Sequence, residues 1–189
     1  MKDAMRRMRP AAIGAALLFV ACASAPRNVA EGVLDRWGAP SASAARALID
    51  EYGVPDDATL NRLTWNERGP WKRTIVWNSS GFWGGAPVYR APEDFAVMQQ
   101  TVAYPMSLAA AADLTAFNGG LVIEPARGEL SSRAASEALD YLALNLADEV
   151  VRGVETVPQA RATYARVVAL TAAGKSSPYT SGLLFGGGD

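Results

Sequence analysis

The chain has 189 residues, with 18 Lys/Arg against 19 Asp/Glu, a single cysteine and no histidine. Without histidine it lacks the commonest general base, the commonest metal ligand and the usual partner of a nucleophilic Ser or Cys. A lone thiol cannot form an internal disulfide or a Cys/His zinc site, and a balance this close to neutral, with no basic run past residue 9, argues against nucleic-acid binding.

At the amino terminus Lys2, Arg6, Arg7 and Arg9 precede the uncharged run AAIGAALLFVA, residues 11–21. As a helix, this run covers only about half of the ~30 Å hydrocarbon core, so it is too short to span a membrane. A cationic start, a short apolar stretch and small residues at its end make residues 1–21 a secretory signal. The motif Phe19-Val20-Ala21-Cys22 resembles the bacterial lipobox, with Phe19 where leucine is usual. That resemblance implies a lipid on the Cys22 thiol and cleavage just before it. With Ala23 next, it also implies sorting to the outer membrane, facing the periplasm. The alternative is an ordinary cut at an A-x-A-like site in ACASA that leaves Cys22 free. Each buried methylene contributes about 0.8 kcal/mol, so several acyl chains on Cys22 make a durable anchor. Residues 23–32 are small, polar and Pro/Gly-containing and read as a short tether, within a lipidated segment expected over residues 22–40. Loss of residues 1–21 leaves a net charge of −4, and no second apolar stretch has the length of a membrane span.

The first helix is expected at about 43–52, capped by Ser41 or Ser43 and stopped by Gly53-Val54-Pro55. Alternation then predicts strands over 60–66 and 71–77, joined as a hairpin around Gly69-Pro70. Residues 79–95 are expected to be a Gly/Pro-rich, mobile loop, and 97–104 a third strand. Ser107 caps a short helix, LAAAADLTAF, ended by Asn118-Gly119-Gly120. LVIEP is a fourth strand. Ser131 or Ser132 caps the longest helix, which ends near Arg152-Gly153 with Leu139, Leu142, Leu146 and Val150 on one face. The stretch TVPQ, Thr156 to Gln159, is a capping box that opens the last helix. The short connection predicts an antiparallel pair of long helices.

The fold class expected is α+β: a small, mostly antiparallel sheet of about four strands, the hairpin plus two more, covered by helices and ending in that helix pair. Residues 41–173 make a single domain. Residues 174–189, GKSSPYTSGLLFGGGD, are expected to be a disordered tail, because three apolar side chains cannot offset the chain entropy of ordering it.

The segments RGPWKRTIVW, ARGELSSR and YLALNLADEVVRG, in this order, resemble a family of uncharacterised bacterial proteins over roughly residues 45–170. That resemblance implies an α+β domain, here in a lipoprotein member, and brings no catalytic residues. Gly53-Val54-Pro55 followed by a Trp-bearing strand also resembles the small lipoproteins of outer-membrane β-barrel assembly.

Three motifs remain. Gly174-Lys175-Ser176 fits a loose phosphate-loop pattern but follows a helix instead of a strand, so no nucleotide is expected. Trp65, Trp71, Trp77 and Trp83 crowd the hairpin region. They serve either cross-strand packing, the expected use, or a stacking surface for a glycan. Alternation puts Trp71, Arg73, Ile75 and Trp77 on one face, so Arg73 needs a partner. In EPARGELSSR, Glu124, Arg127, Glu129 and Arg133 form either an ion-pair cluster, the expected reading, or a carboxylate pair for acid–base work on a glycosidic bond. Function is thus expected to be that of a membrane-anchored, non-enzymatic binding or scaffold domain. Its partner is an envelope protein or a cell-wall glycan, with no cofactor, metal or nucleic acid. The alternative is a glycan-directed enzyme using Glu124 or Glu129.

Overall fold

The structure, a computed structural model, describes residues 27–78 and 96–186. The signal sequence, Cys22, the 79–95 loop and Trp83 lie outside the described residues.

The order of elements is α1 (Arg27–Leu34), α2 (Ala39–Tyr52), β1 (Asp57–Ala58), β2 (Arg62–Arg68), β3 (Trp71–Trp77), β4 (Met98–Ala103), α3 (Leu108–Phe117), β5 (Leu121–Glu124), β6 (Glu129–Ala134), α4 (Glu137–Val151) and α5 (Val157–Ala172). Short 3-10 turns stand at Pro125–Arg127 and Pro178–Thr180. The fold is α+β, as expected. Among the described residues, however, the sheet has six strands in the order β1-β2-β3-β4-β6-β5, every neighbouring pair antiparallel.

Several elements follow directly from local chemistry. The hairpin turns at Gly69-Pro70, with Arg62 opposite Trp77 and Arg68 opposite Trp71. Gly69 takes φ 55°, and a Cβ there would meet the Tyr52 hydroxyl at 3.2 Å, so a side chain at this turn would be strained and would crowd Tyr52. Ser107 accepts the Ala110 N–H at 3.2 Å and opens α3. Thr156 and Gln159 form the capping box of α5, the Thr156 N–H donating to Gln159 Oε1 at 2.9 Å. Gly53 ends α2 at φ 78°, its N–H bonded to the Ile49 carbonyl at 3.0 Å.

Four expectations are corrected. Residues 129–134 are strand β6, so Ser131 and Ser132 cap no helix; Ser136 precedes α4. In ELSSRA, Leu130 faces the helices while Glu129 and Ser131 face the other way, an alternation hidden by the Ser-Ser pair. The longest helix is α5, at 16 residues against 15 for α4. The tether cannot run to residue 40. Residues 27–34 are helical, with Ala30 and Leu34 buried in the core.

The tail is also ordered through residue 186. Asn145, 1% exposed in mid-α4, donates to the Tyr179 and Gly182 carbonyls at 3.1 and 2.8 Å and accepts the Leu184 N–H at 2.7 Å. Leu183 and Phe185 pack on the core, Phe185 edge-on to Tyr104 with ring centroids 5.4 Å apart. A disordered tail would leave the buried amide of Asn145 without partners, a cost the entropy argument omitted.

The helices cover one face of the sheet, where two apolar clusters form. The first joins α1 and α2 to Leu63, Trp65, Val76 and Met98. The second joins α3, α4 and α5 to Trp71, Val102 and Leu130. Between them the strand register lines up Thr74, Gln100 and Ser132 side by side, all buried. A polar row therefore crosses an otherwise apolar interface.

Candidate functional site

The expected charged cluster forms, on the sheet face away from the helices. Glu129 is 2% exposed and its carboxylate takes Lys72 Nζ at 2.9 Å and Arg73 Nη2 at 3.0 Å. The Arg127 guanidinium adds contacts at 3.4 Å and bridges to Glu124 at 3.8 Å. Lys72, and then Arg73 and Arg127, hold the Glu129 carboxyl at about 2, against the counteracting effect of burial. A carboxyl this acidic stays ionised through the neutral range and cannot serve as a general acid. Lys72 was not foreseen here. It is adjacent to Arg73 yet reaches the same carboxylate, so alternation breaks between them. Trp71 consequently falls on the helix side, and the expectation that it shares a face with Arg73 is corrected.

Arg133 stands four residues further along β6, opposite Gln99. It donates from Nε to Gln99 Oε1 at 2.8 Å and stands 6.0 Å from the Trp77 ring centroid. Trp77 is half-buried. Trp65 and Trp71 are 0% and 1% exposed and belong to the two core clusters. The Trp65 Nε1–H donates to the Gly53 carbonyl at 2.9 Å and locks the end of α2 to the sheet. Buried tryptophans of this kind pair their N–H and offer no open stacking face.

A second locus emerges where sequence reasoning did not look. A cleft of about 530 Å³ opens between α2 and the start of α4, above the Val97–Met98 end of β4. Leu48, Val97, Met98 and Ala138 give it apolar walls. The charged residues among those lining it are Glu51 and Glu137. Glu137, in the first turn of α4, accepts on Oε1 from the Tyr52 hydroxyl at 2.6 Å, Trp71 Nε1 at 2.5 Å and Gln100 Nε2 at 2.8 Å. Three donors from α2, β3 and β4 thus fix one carboxylate. Trp71 is itself held by stacking on Tyr141, centroids 4.8 Å apart.

The surroundings are short of donors. Loss of hydration at the cleft edge, and next the Glu137 carboxylate, raise the Glu51 carboxyl above its ordinary value. Burial, with the bond to Glu137 second, drives the Tyr52 hydroxyl far upward, so it stays a donor. One turn along α4, Asp140 is fully buried with the Ser132 side chain beside it, and neither of its oxygens makes a well-formed hydrogen bond among the described residues. Burial pushes its carboxyl well up; the neighbouring Ser132 offsets this only in part, and Glu137 adds to it. Gln100 Oε1 and Thr74 Oγ1 are buried and unpartnered too. Each unsatisfied buried polar group costs about 1–3 kcal/mol, so this many in one place is a feature to explain. One signal was legible: Asp140 stands on the same stripe of α4 as buried Ala143, Ala147 and Val150, and a carboxylate in an apolar stripe is informative.

Gly174-Lys175-Ser176 is the exit of α5. Gly174 takes φ 73°, and the Lys175 N–H returns to the Leu170 carbonyl at 3.0 Å. No group of three or more Cys, Asp or Glu among the described residues is placed to hold a metal ion. No helix among them is long and apolar enough to cross a membrane. No family model, curated protein or solved structure matches the chain.

Proposed function

We propose that the chain is a lipid-anchored protein of the bacterial envelope, attached through Cys22 to the outer membrane and facing the periplasm. Its α+β domain works by binding a partner, not by covalent chemistry. The sequence around Cys22 supports the anchor. The start of α1 at Arg27 supports a short leash, since four residues, 23–26, can span at most about 13–14 Å.

The observation that carries the binding reading is the fixed carboxylate of Glu137 beside an apolar cleft. A volume of about 530 Å³ is in the range of small-molecule sites or of a few side chains from a partner. By contrast Glu129, one of the two carboxylates that acid–base chemistry would draw on, is committed to three cations. The partner class is an envelope protein or a cell-wall glycan that presents an end to the cleft.

The test has two arms. Cells expressing the full chain are fed a fatty-acid analogue, and Cys22→Ser is expected to abolish both labelling and membrane fractionation. Crosslinking in intact envelopes is then compared between the natural chain and Ala47→Trp, which fills the cleft from an exposed position on α2. Loss of the crosslinked species is expected. Unchanged labelling in the first arm removes the anchor, and an unchanged crosslink pattern in the second removes the cleft.

A further inference from the structure

We infer that the α1 end of the domain docks on a phospholipid surface, with Val29 and Leu60 as its apolar contacts and Arg36 beside the lipid phosphates. This rests on the anchor proposed above and gives the anchored domain an orientation.

Three observations converge. The first is reach. Only residues 23–26 separate Cys22 from α1, so acyl chains on Cys22 hold the start of α1 against the bilayer. Ala30 and Leu34 are buried in the first apolar cluster, so α1 carries the folded domain to the surface with it. The second is the turn between β1 and β2. The Thr59 hydroxyl accepts the Arg62 N–H at 3.1 Å, the Thr59 N–H donates to the Arg62 carbonyl at 2.9 Å, and the Asn61 carbonyl accepts the Asn78 N–H at 2.9 Å. The Trp37 Nε1–H donates to the Leu60 carbonyl at 2.8 Å and fastens this turn to the exit of α1. At the tip of this tied backbone the Leu60 side chain is 63% exposed and belongs to neither apolar cluster. Its contact with lipid needs no further ordering of the chain. α1 has eight residues, about 12 Å, so leash and turn mark the two ends of one short element. The third is the outer face of α1. Val29, 47% exposed, then Gly32 and the exposed Arg36 stand at i, i+3 and i+7. A Cβ on Gly32 would meet nothing within 4 Å, so this face is open. Arg36 makes no ion pair among the described residues, whereas Glu31 and Asp35 are both bridged by Arg46, at 3.5 and 3.6 Å. Apolar side chains beside a guanidinium match the boundary between acyl chains and phosphates. The tether also keeps the surface at high effective concentration, so a contact too weak to recruit a free domain holds an anchored one.

The single cysteine permits a test that does not depend on natural lipidation. Residues 22–189, which hold every described element, are coupled through the Cys22 thiol to a maleimide lipid in phosphatidylethanolamine vesicles containing phosphatidylglycerol. A second lipid carries a photoactivatable diazirine on its acyl chain, and the carbene adducts are mapped by mass spectrometry. Adducts on the peptides holding Val29 and Leu60 are expected to exceed those on the peptides holding Leu108 and Val154 by about ten-fold. Leu108 and Val154 are 80% and 58% exposed and lie in α3 and after α4, so exposure alone would rank Leu108 first. Leu60→Ser and Arg36→Glu, both at exposed positions, are expected to keep the melting midpoint and to lower the adducts on α1 several-fold, because loss of the second contact lets the domain swivel on its leash. Adducts that follow exposure, with Leu108 highest, overturn the docking. So do adducts absent from α1 and the turn, and an α1 signal that neither variant moves. The fatty-acid labelling in cells decides the natural anchor separately: if Cys22 takes no lipid there, the anchor falls while the adduct map still shows whether this end of the domain prefers lipid.

Discussion

The Leu184 N–H donates to the side-chain oxygen of Asn145 at 2.7 Å, across 39 residues of chain. Asn145 is surrounded by leucines of α4, and the tail's backbone is its entire set of partners among the described bonds. Asn145→Ala is therefore expected to destabilise the domain by about 1–3 kcal/mol, since two carbonyls and one N–H lose a partner. Truncation after Ala173 should cost more, because it also strips Leu183 and Phe185 from the core. At this size each kcal/mol moves the melting midpoint by about 2–4 °C. Calorimetry on both variants checks this, and an unmoved midpoint in the truncation would mean the tail is not docked in solution.

Asp140→Asn is expected to stabilise the protein at neutral pH. The folded-state carboxyl is raised well above its ordinary 3.8, so the folded protein holds that proton more tightly than the unfolded chain does. Its favourable contribution is complete below 3.8 and is lost as pH rises from there toward the folded value. The asparagine variant has no such loss. Melting curves from pH 4 to pH 8 should show the variant's advantage growing with pH. A natural chain more stable than the variant at pH 8 would mean the carboxylate is ionised and paired.

Glu129 predicts the opposite profile. Its carboxyl is lowered from 4.5 to about 2, so its stabilisation is present above 4.5 and lost as pH falls toward 2. Glu129→Gln should flatten the stability profile in that window. At neutral pH it should cost about 1–3 kcal/mol, limited by the partial exposure of the three cations. Urea unfolding at several pH values reads both effects.

Among the tryptophans the expected ranking is clear. Trp65→Ala, at 0% exposure with its N–H bonded to Gly53, should cost about 3–5 kcal/mol. Trp77→Ala, half-buried beside Arg133, should cost distinctly less. A reversed order in chemical denaturation would show that Trp77 packs in a core of its own.

Much of this architecture was legible from local signals. The Gly69-Pro70 hairpin, the Ser107 cap, the Thr156–Gln159 box and the Gly53 stop each depend on one or two neighbouring residues, and each stands where expected. What was missed depends on distant partners. Strand β6 was hidden because Ser131 and Ser132 are good helix caps in isolation; only pairing with Thr101 and Gln100 makes them strand residues. The tail was misjudged because Asn145 is 34 or more residues away from the groups it holds. The charged cluster was found, since Glu124, Arg127 and Glu129 are close in sequence. The cleft was not, because Glu51, Gln100 and Glu137 come from three separate elements and carry no motif between them.

The row of Thr74, Gln100 and Ser132 has a mechanical consequence. Apolar packing resists separation everywhere at once, whereas a polar seam can be wetted and opened from one end. The seam divides a block built on α1 and α2 from a block built on α3, α4 and α5, and the cleft lies at its mouth. Opening there is expected to hydrate Gln100 and Asp140 before either apolar cluster is lost, with Tyr52, which packs on both clusters and bonds Glu137, as the contact that must yield first. Amide exchange in α1 and α2 should accordingly run on a different clock from exchange in α4 and β6, with the backbone of β3 and β4 as the shared axle.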